Sequence, residues 1–272
     1  MPVTSIVYQA FMDCENLISV IIPDSVKSIG ISAFWECSNL TDITIPDSIT
    51  YIGLDAFYGT KWIQEKQKEN PFVIVNNILI DGTTCEGDIV IPDGVINIGE
   101  GAFSFCSNLE SIVIPDNISE IPGHIISYSG CKSITVLNPE CSIDDMAFFI
   151  IEGGAGLCYV NTIRGYENST AQAYAEKYER NFSSLGQAPV YPLGNLNNDD
   201  YIDAVDATAV LMEYAELSTG NATTLNYAER KAGDVNGDGE INAVDATLIL
   251  SYYAEVSTGN TITFPDFISE NT

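Results

Sequence analysis

Residues 17–37 carry the sequence LISVIIPDSVKSIGISAFWEC, and residues 40–60 carry LTDITIPDSITYIGLDAFYGT, with Ile-Pro and Ala-Phe at the same places in each. Ile-Pro begins at residues 22, 45, 91 and 114, and Ala-Phe at residues 10, 33, 56 and 102, so both follow a period of 23 residues or its double. Self-similarity at a fixed period of about 20 to 50 residues is typical of stacked repeats, in which each unit packs on its neighbours. The sequence therefore predicts a solenoid.

Each repeat has the same internal order of signals. The segment L-x-x-I-x-I predicts a short strand whose Leu and Ile side chains face inward. Proline ends that strand, because it has no N–H to donate to a ladder. The arc that contains Gly-x-x-Ala-Phe-x-x-Cys predicts a helical or 3₁₀ turn that returns along the outer face.

The repeat pattern lapses between Gly59 and Asp88, although the register survives across two periods. Residues 60–70 predict an exposed helical turn. Residues 72–75 and 78–80, joined by Asn76-Asn77, predict a β-hairpin. Farther along the chain, residues 162–166 predict a last strand and residues 169–176 a closing helix, which is the atypical cap that a solenoid needs.

The Ile-Pro and Ala-Phe-x-x-Cys columns resemble the BspA-type leucine-rich repeats of bacterial surface and secreted proteins, over roughly residues 3–186. The resemblance implies a curved solenoid for protein recognition or adhesion, without enzymatic activity of its own. Outward strand positions form one column of Ser19, Asp42, Asp88 and Ser111, and a second of Ile21, Thr44, Val90 and Val113. Because the second column is unusually apolar for exposed residues, we expect a protein ligand on that face.

All seven cysteines lie in this region, at positions 14, 37, 85, 106, 131, 141 and 158. Three of them, Cys14, Cys37 and Cys106, share one repeat position. Disulfides or a metal cluster are one interpretation. Buried free thiols, acting as small apolar core residues, are favoured, because no C-x-x-C pair or tetrahedral ligand spacing is present.

A different repeat follows residues 187–192, which predict a short linker. Residues 195–206 align without gaps to residues 234–245, and each stretch is followed by a matching helical segment but is not preceded by one. Oxygen ligands at positions 1, 3, 5, 7, 9 and 12 of a 12-residue loop are the EF-hand arrangement for Ca²⁺. Two Ca²⁺ ions are predicted, with Asn195, Asn197, Asp199, Tyr201, Asp203 and Asp206 around the first and Asp234, Asn236, Asp238, Glu240, Asn242 and Asp245 around the second.

The alternative to calcium binding is a pair of acidic turns that merely cap helices. If the loops do bind calcium, the second should be tighter, because it has Asp234 at position 1 and Gly239 at position 6, which adopts a positive φ without strain. The first loop has neutral Asn195 at position 1 and Asp200 at position 6, where a positive φ has some cost.

Asp at position 12, a helix after each loop and a short helical linker over residues 223–231 make residues 191–268 similar to a type I dockerin. The resemblance implies calcium-dependent binding to a cohesin module of a scaffoldin, and so a place in a cellulosome. Loop positions 10 and 11 and the helix beyond them would contact the cohesin; these residues are Ala204, Val205, Thr208, Met212, Ala243, Val244, Thr247 and Ser251. The alternative is that they are ordinary residues at a helix start.

The two helices begin with the same Ala-Val-Asp-Ala-Thr sequence, so two cohesin orientations related by 180° are possible. One orientation should be preferred, because the helices differ at two places. Met212 in the first repeat corresponds to Ser251 in the second, and Glu213, expected beside the same face, corresponds to Tyr252. Residues 191–192 and 264–267 are expected to pack together at the ends of this module.

The amino-acid composition excludes several classes of binding site. The 38 acidic and 10 basic residues of 272 give a net charge of −28, which excludes ordinary binding to a phosphate backbone. His124 is the sole histidine, so no multi-histidine metal site is possible. No apolar run reaches 18 residues, so no membrane span is expected. The first residues have neither a basic nor an apolar leader region, and we expect a fragment of a longer secreted protein.

These observations predict an α+β chain. A leucine-rich repeat domain over residues 1–186, capped by residues 160–186, is joined by a linker over residues 187–192 to a small all-α dockerin over residues 193–272. The predicted function is that of a non-catalytic, secreted, cellulosome-associated protein. Two rival functions are a spacer within a larger secreted enzyme and a protease-binding or inhibitory repeat protein.

Overall fold

The computed structural model describes residues 2–148 and 160–272. The chain divides into two compact units, Met1–Leu185 and Gly186–Thr272. The strands of the first unit, in chain order, are β1 (Ser5–Ile6), β2 (Ser19–Ile21), β3 (Ser28–Ile29), β4 (Asp42–Thr44), β5 (Tyr51–Ile52), β6 (Val73–Val75), β7 (Ile78–Asp81), β8 (Gly87–Val90), β9 (Asn97–Ile98), β10 (Leu109–Ile114), β11 (Glu120–Ile121), β12 (Ser133–Val136), β13 (Ser142–Ile143), β14 (Thr162–Gly165) and β15 (Asn181–Ser184).

Apart from the antiparallel pair β6-β7, these strands form parallel ladders. The ladder before the prolines was predicted for a solenoid, whereas the short strands after the prolines were not. The strands before the prolines pair as β2-β4 and as β8-β10-β12, and the second of these ladders continues into β14 and β15 of the cap. The strands after the prolines pair as β1-β3-β5, β6-β7-β9 and β11-β13. Val20 lies opposite Ile43, one 23-residue period away. Leu40, Ile43 and Ile112 are buried, which confirms the inward face.

The Ala-Phe arcs are hydrogen-bonded turns that stack on one another rather than regular helices. The N–H of Phe11 donates to Ala33 O over 2.8 Å, and that of Phe34 donates to Ala56 O over 2.7 Å. These N–H groups bond the next turn and not their own, and left-handed residues such as Glu36 (φ 53°) interrupt any helical run. The ring of Phe34 stacks between those of Phe11 and Phe57, at centroid distances of 5.2 and 5.6 Å.

The lapse in the repeat contains the predicted hairpin, and a helix of nine residues where an exposed helical turn was expected. The helix is not fully exposed, because Trp62 and Ile63 pack into the core. Helix α1 (Lys61–Glu69) begins at its N-cap Thr60, whose side chain accepts from Ile63 N. Strands β6 and β7 pair antiparallel across Asn76 and Asn77, both left-handed with φ of 50° and 61°, as a tight type I′ connection requires. Asn76 Nδ2 donates to Pro46 O over 2.7 Å and so ties the hairpin to the preceding turn.

The predicted cap is present at the other end of the solenoid. Strand β14 is followed by helix α2 (Thr170–Lys177), which buries Ala171, Tyr174 and Ala175. Strand β15, which was not predicted, adds one more parallel pairing to β14. Its sequence NFSS has no apolar alternation, so the strand depends on its neighbour rather than on its own pattern.

The second unit is helical. It contains α3 (Ala204–Ser218), α4 (Tyr227–Gly233), α5 (Ala243–Ser257) and α6 (Phe264–Asn271). Helices α3 and α5 pack through equivalent small and branched residues, Ala207 and Val210 on one and Ala246 and Ile249 on the other, all buried. None of the described helices is long and apolar enough to cross a bilayer.

Helix α6 was not predicted, but the packing of the module's two ends was. Phe264 lies against Gly194 so closely that a Cβ there would come within 2.4 Å of the ring. Tyr191 packs against the same core cluster, which contains Phe264 and Phe267. The aromatic residues near the end of the chain are therefore a structural part of the helical unit.

Most cysteines of the described residues are buried inside the solenoid. Cys37, Cys85, Cys106, Cys131 and Cys141 are buried and Cys14 is exposed, while Cys158 lies outside the described residues. Burial raises the pKa of Cys85 to about 12 and that of Cys106 to about 11. The Sγ of Cys106 donates to Cys85 O over 2.8 Å. The favoured interpretation, a column of buried apolar thiols, is confirmed for Cys37 and Cys106. It is wrong for Cys14, which is exposed and lies in the first of the described turns.

Replacing Phe34 by Ala should destabilise the solenoid by about 3–5 kcal/mol, because the ring is fully buried between two others. Ile21→Ala, at a side chain that is 80% exposed, is the control and should change stability by less than about 0.5 kcal/mol. Guanidinium unfolding, followed by tyrosine and tryptophan fluorescence, measures both. Equal effects of the two substitutions would contradict the stacked core.

Iodoacetamide at pH 8.5 should label Cys14 quickly and Cys85 and Cys106 slowly, because a raised pKa keeps a buried thiol protonated and only the thiolate reacts. Peptide mass mapping reports each cysteine separately, and labelling in guanidinium gives the unfolded reference. Equal rates at Cys14 and Cys85 in the folded protein would contradict the arrangement.

Candidate calcium-binding loops and partner surface

The two predicted loops are folded by the same internal hydrogen bonds. Asn197 Oδ1 accepts from Asp199 N over 3.0 Å, and Asp199 Oδ1 accepts from Tyr201 N over 2.7 Å. In the second loop, Asn236 Oδ1 accepts from Asp238 N over 2.9 Å, and Asp238 Oδ1 accepts from Glu240 N over 2.8 Å. Such side-chain-to-backbone turns curl the chain tightly around a centre.

Position 12 joins the start of each loop to the start of the following helix. Asp206 accepts from Leu196 N over 2.8 Å through Oδ1 and from Asp203 N over 2.9 Å through Oδ2. Asp245 makes the same bonds to Val235 N and Asn242 N, both over 3.0 Å. Both carboxylates are buried, and burial is the main cause that raises the pKa of Asp245 above its ordinary value. A buried carboxylate of this kind gains from a nearby cation.

Position 9, where a ligand through water was expected, has a structural role as well. Asp203 and Asn242 are the N-caps of α3 and α5, and each Oδ1 accepts from the N–H two residues later, at Val205 and Val244, over 2.7 Å. The acid at position 12 completes a capping box in both repeats. Loop and helix are therefore one hydrogen-bonded element.

Position 1 carries the observation that points to a ligand. Asn195 Oδ1 and Asp234 Oδ1 are buried and have no hydrogen-bond partner among the described residues. The remaining polar atoms at both positions are engaged: Asn195 Nδ2 donates to Asp199 O over 2.6 Å, and Asp234 Oδ2 accepts from Gly239 N over 3.0 Å. A buried acceptor without a donor costs about 1–3 kcal/mol, so both oxygens are poised for a cation.

The candidate metal ligands in both loops are oxygen atoms, which suit calcium better than a soft metal. Within the part of the chain that the structure describes, no group of three or more histidine, cysteine, aspartate or glutamate side chains gathers as a metal centre. The predicted sets instead include asparagine oxygens at positions 1 and 3 of the first loop, and the carbonyls of Tyr201 and Glu240 at position 7. The residues present fit an oxygen-coordinated ion.

The loops differ at position 6. Gly239 is left-handed, with φ of 87°, whereas Asp200 is not among the left-handed residues. The expected backbone cost at Asp200 is therefore wrong: with a Cβ at position 6, the first loop avoids that conformation. Both loops have a left-handed residue at position 4, where Asn198 has φ of 55° and Gly237 has φ of 72°. The N–H bond from position 6 to position 1 forms in the second loop between Gly239 and Asp234.

No helix was expected to precede either loop, but one precedes the second loop. Helix α4 ends at Gly233, and the N–H of its C-cap Asp234 donates to Arg230 O over 3.2 Å, so a helix leads directly into the second loop. The predicted helical linker over residues 223–231 lies at residues 227–233 instead. Asn226 starts this helix as its N-cap, with Glu229 completing the capping box, which explains why it begins later.

All eight predicted partner residues are exposed. Val205, Met212 and Val244 have 59%, 66% and 53% of their side chains accessible. The hydroxyls of Thr208 and Thr247 each donate to the carbonyl four residues earlier over 2.6 Å. Residues three, four and seven apart lie on one helix face, so each set forms one continuous patch beside its loop.

Two further matched pairs of exposed residues on the same helices were not predicted. Leu211 and Leu250, and Tyr214 and Tyr253, are exposed by 41–44% and occupy equivalent positions in the two repeats. The offset of 39 residues that aligns the two loops also aligns these pairs, so the sequence repeat could have identified them. An apolar patch repeated on two helices is more than a scattering of single exposed residues.

Glu213 and Tyr252, which were expected to lie beside that face, point inward. Glu213 is fully buried and its carboxylate accepts from the Thr223 hydroxyl and from Thr224 N. Tyr252 packs edge-on against Phe264 and Phe267, at centroid distances of 4.9 and 5.7 Å. Among the exposed predicted residues of this face, the difference between the repeats is Met212 against Ser251.

Comparison with known families matches both units. The BspA type Leucine rich repeat region matches in six copies, over residues 4–78 and 83–153, which is more than half of the chain. The chain belongs to the BspA-type leucine-rich repeat family. The Dockerin type I domain matches residues 193–254 and 232–266. Type I dockerins are calcium-binding modules that bind cohesins, and neither kind of module is catalytic. Both are typical of secreted or cell-surface bacterial proteins.

Three solved structures match part of the chain. The T. pallidum leucine rich repeat protein is 22% identical over 54% of this chain and 74% of its own, with a TM-score of 0.31. The pneumococcal vaccine antigen PcpA is 19% identical over 68% of this chain and 41% of its own, at 0.28. A leucine rich cell surface protein from Faecalibacterium prausnitzii is 20% identical over 66% and 63%, at 0.33.

This chain spans less than two thirds of the length of the second and third of these proteins. At such low identity and TM-score, the comparison carries no information about a ligand. No curated protein matches the chain.

Calorimetric titration of the chelator-treated protein with CaCl₂ should resolve two sites, the tighter at the second loop. Asn195→Asp should tighten the weaker site roughly tenfold, and Asp234→Asn should weaken the tighter site by a similar factor, because calcium affinity follows the charge of the ligands. The two substitutions are matched, since each interchanges the same pair of residue types at the same loop position. Equal affinities in the unmodified protein, or a tighter first site, would contradict the assignment.

Proposed function

We propose that this protein is a non-catalytic, secreted component of a cellulosome. Its dockerin binds a cohesin module of a scaffoldin in a calcium-dependent way, and its repeats recognise another protein or a surface. The observation that carries the proposal is the combination at each repeat of a buried, unpartnered loop oxygen with an exposed apolar helix face directly behind it. Two Ca²⁺ ions would hold the loops in the form that presents these faces.

The coupling between metal and partner follows from the shared hydrogen bonds. The carboxylate of Asp206 bonds the loop start at Leu196 and the helix start at Asp203, so a change in the loop reaches α3 directly. Asp245 does the same for α5. Without the ion, the position 1 oxygens stay buried and unsatisfied, and opening the loop relieves that cost. Opening the loop also removes the N-cap bond to Val205 or Val244.

Two cohesin orientations remain available to the dockerin. Val205 and Val244 are exposed to a similar extent, and the threonines that follow them make the same internal bond. Met212 offers a flexible apolar contact where Ser251 does not. We infer that both orientations form and that one is preferred.

The strand face of the repeats supports the recognition role. Ile21 and Val90 are 80% and 59% exposed, Thr44 is exposed and Val113 is half-buried, so the described parts of the protein leave this column largely uncovered. Beside the column, Ser111 Oγ donates to Asp88 Oδ1 over 2.6 Å. A spacer needs no apolar column in water, which favours recognition over the spacer role.

Val205→Asp, Val244→Asp and the double variant test the cohesin surface. A carboxylate at the centre of an apolar contact loses its hydration without gaining a partner, so the double variant should lose binding by at least about a hundredfold. With two usable orientations, each single variant should retain binding within about tenfold of the unmodified protein. Calorimetry with a panel of type I cohesins measures the affinities.

The control is Val190→Asp, which adds the same charge at a valine that is 83% exposed and lies outside the helix faces. It should bind as the unmodified protein does. Calcium titration of each variant confirms that its loops are intact. One silent single variant and one that abolishes binding would refute the two orientations, and full binding by the double variant would refute the surface itself.

A further inference from the structure

The lapse in the repeat opens a cleft in the side of the solenoid. Where the helix and hairpin replace regular turns, a cavity of about 840 Å³ lies between them and the arcs on either side. Its walls include Tyr58, Ile63, Asp81, Glu100 and Phe105. A volume of this size takes a ligand of several hundred daltons or a short peptide segment. We call it the excursion cleft.

The walls of the cleft are strongly acidic. Glu36, Asp55, Asp81 and Glu100 all line it, and Lys61 is the sole basic residue among the lining residues. The Nζ of Lys61 donates to Asn39 Oδ1 over 2.8 Å, and none of the ion pairs found in the described residues involves the four acids. Burial, and then the charge of Asp81, raise the pKa of Asp55 above its ordinary value. Within residues 2–148 and 160–272, no base forms an ion pair with these carboxylates, so the cleft keeps its negative charge.

The cleft also interrupts the stacking of aromatic side chains along the outer face. Trp35 and Tyr58 stack at 4.3 Å on one side of the lapse, and Phe105 and Tyr128 stack at 5.2 Å on the other. Tyr58 and Phe105 are the members of these stacks that line the cleft, with 49% and 65% of their side chains exposed. Each ring is covered by its stacking partner on one face, which leaves the other face for a ligand.

The cleft therefore combines two features that select the same chemistry. Carboxylates select a cation, and exposed aromatic faces select a flat group with delocalised electrons. The guanidinium of arginine is both charged and planar, whereas the ammonium of lysine is charged but not planar. The amide of Gln64, which also lines the cleft, adds a donor and an acceptor suited to a peptide backbone.

We propose that the excursion cleft binds a basic segment of a partner protein by taking up an arginine side chain between Tyr58 and Phe105, with Asp55 and Asp81 as its counter-charges. The guanidinium would lie against one or both rings, and the four acids would supply the surrounding negative field. This site is separate from the apolar strand column and from the calcium loops, so it does not depend on the function proposed above.

Fluorescence anisotropy with the full chain at about 150 mM salt tests the proposal, because that ionic strength screens long-range attraction. The probe is a fluorescein-labelled peptide of alternating arginine and glycine. A citrulline version keeps the shape without the charge, and a lysine version keeps the charge without the plane. The arginine peptide should bind, the lysine peptide at least about threefold more weakly, and the citrulline peptide not measurably.

Substitutions locate the binding. Asp55→Asn and Phe105→Ala should each weaken the arginine peptide about fivefold or more, in line with the loss of a partly screened ion pair or a cation–π contact. Asp47→Asn and Tyr8→Ala are matched controls at exposed acidic and aromatic residues that do not line the cleft. They should stay within twofold, and thermal unfolding checks that all four variants are folded.

Three results would overturn the proposal. Equal losses in the cleft and control variants would mean diffuse attraction to a chain of net charge −28. Equal affinity for the lysine and arginine peptides would show that the rings of Tyr58 and Phe105 do not contribute to binding. Absence of binding by the arginine peptide would leave the cleft without the proposed occupant.

Discussion

Neither kind of repeat in this chain can bury its own apolar face, and that constraint shapes both units. A single turn of the solenoid presents Leu40 and Ile43 on one side and needs another turn to cover them. The inter-turn bonds of the Ala-Phe arcs and the stacked phenylalanines are the result. In the helical unit, α3 covers α5 with equivalent residues, and α6 closes the remaining gap through Phe264 and Phe267. Each unit is stable because its repeats complete one another.

The same constraint explains where the protein offers sites to others. Regular turns of the solenoid cover their neighbours, but the helix and hairpin after Gly59 do not, and an acidic cleft remains. In the loops, folding buries one oxygen of Asn195 and one of Asp234 without a donor. An ion can satisfy these oxygens, whereas no described side chain does. The inward faces of α3 and α5 are buried in the core, whereas the valines and leucines on their outward faces stay exposed and can contact a partner.

Much of this architecture was predictable because its signals are local in sequence. The period of 23 residues predicted the parallel ladder before the prolines, Asn76-Asn77 predicted the hairpin, and the alternating oxygens predicted two similar loops. Helix α6 was also within reach, since Phe264, Phe267 and Ile268 have helical spacing after the N-cap Thr263. Features set by distant contacts were not predictable. Strand β15 depends on β14, the inward position of Glu213 depends on Thr223 and Thr224, and the backbone at Asp200 depends on the closure of its loop.

Calcium-dependent cohesin binding is the central claim, and one measurement tests it directly. The full chain is titrated against immobilised type I cohesins in calcium, then in excess EDTA, then after calcium is restored. We predict saturable binding to at least one cohesin in calcium, its loss in EDTA, and full recovery on return of the ion. Equal affinity in calcium and EDTA, or no binding to any type I cohesin in calcium, would contradict it.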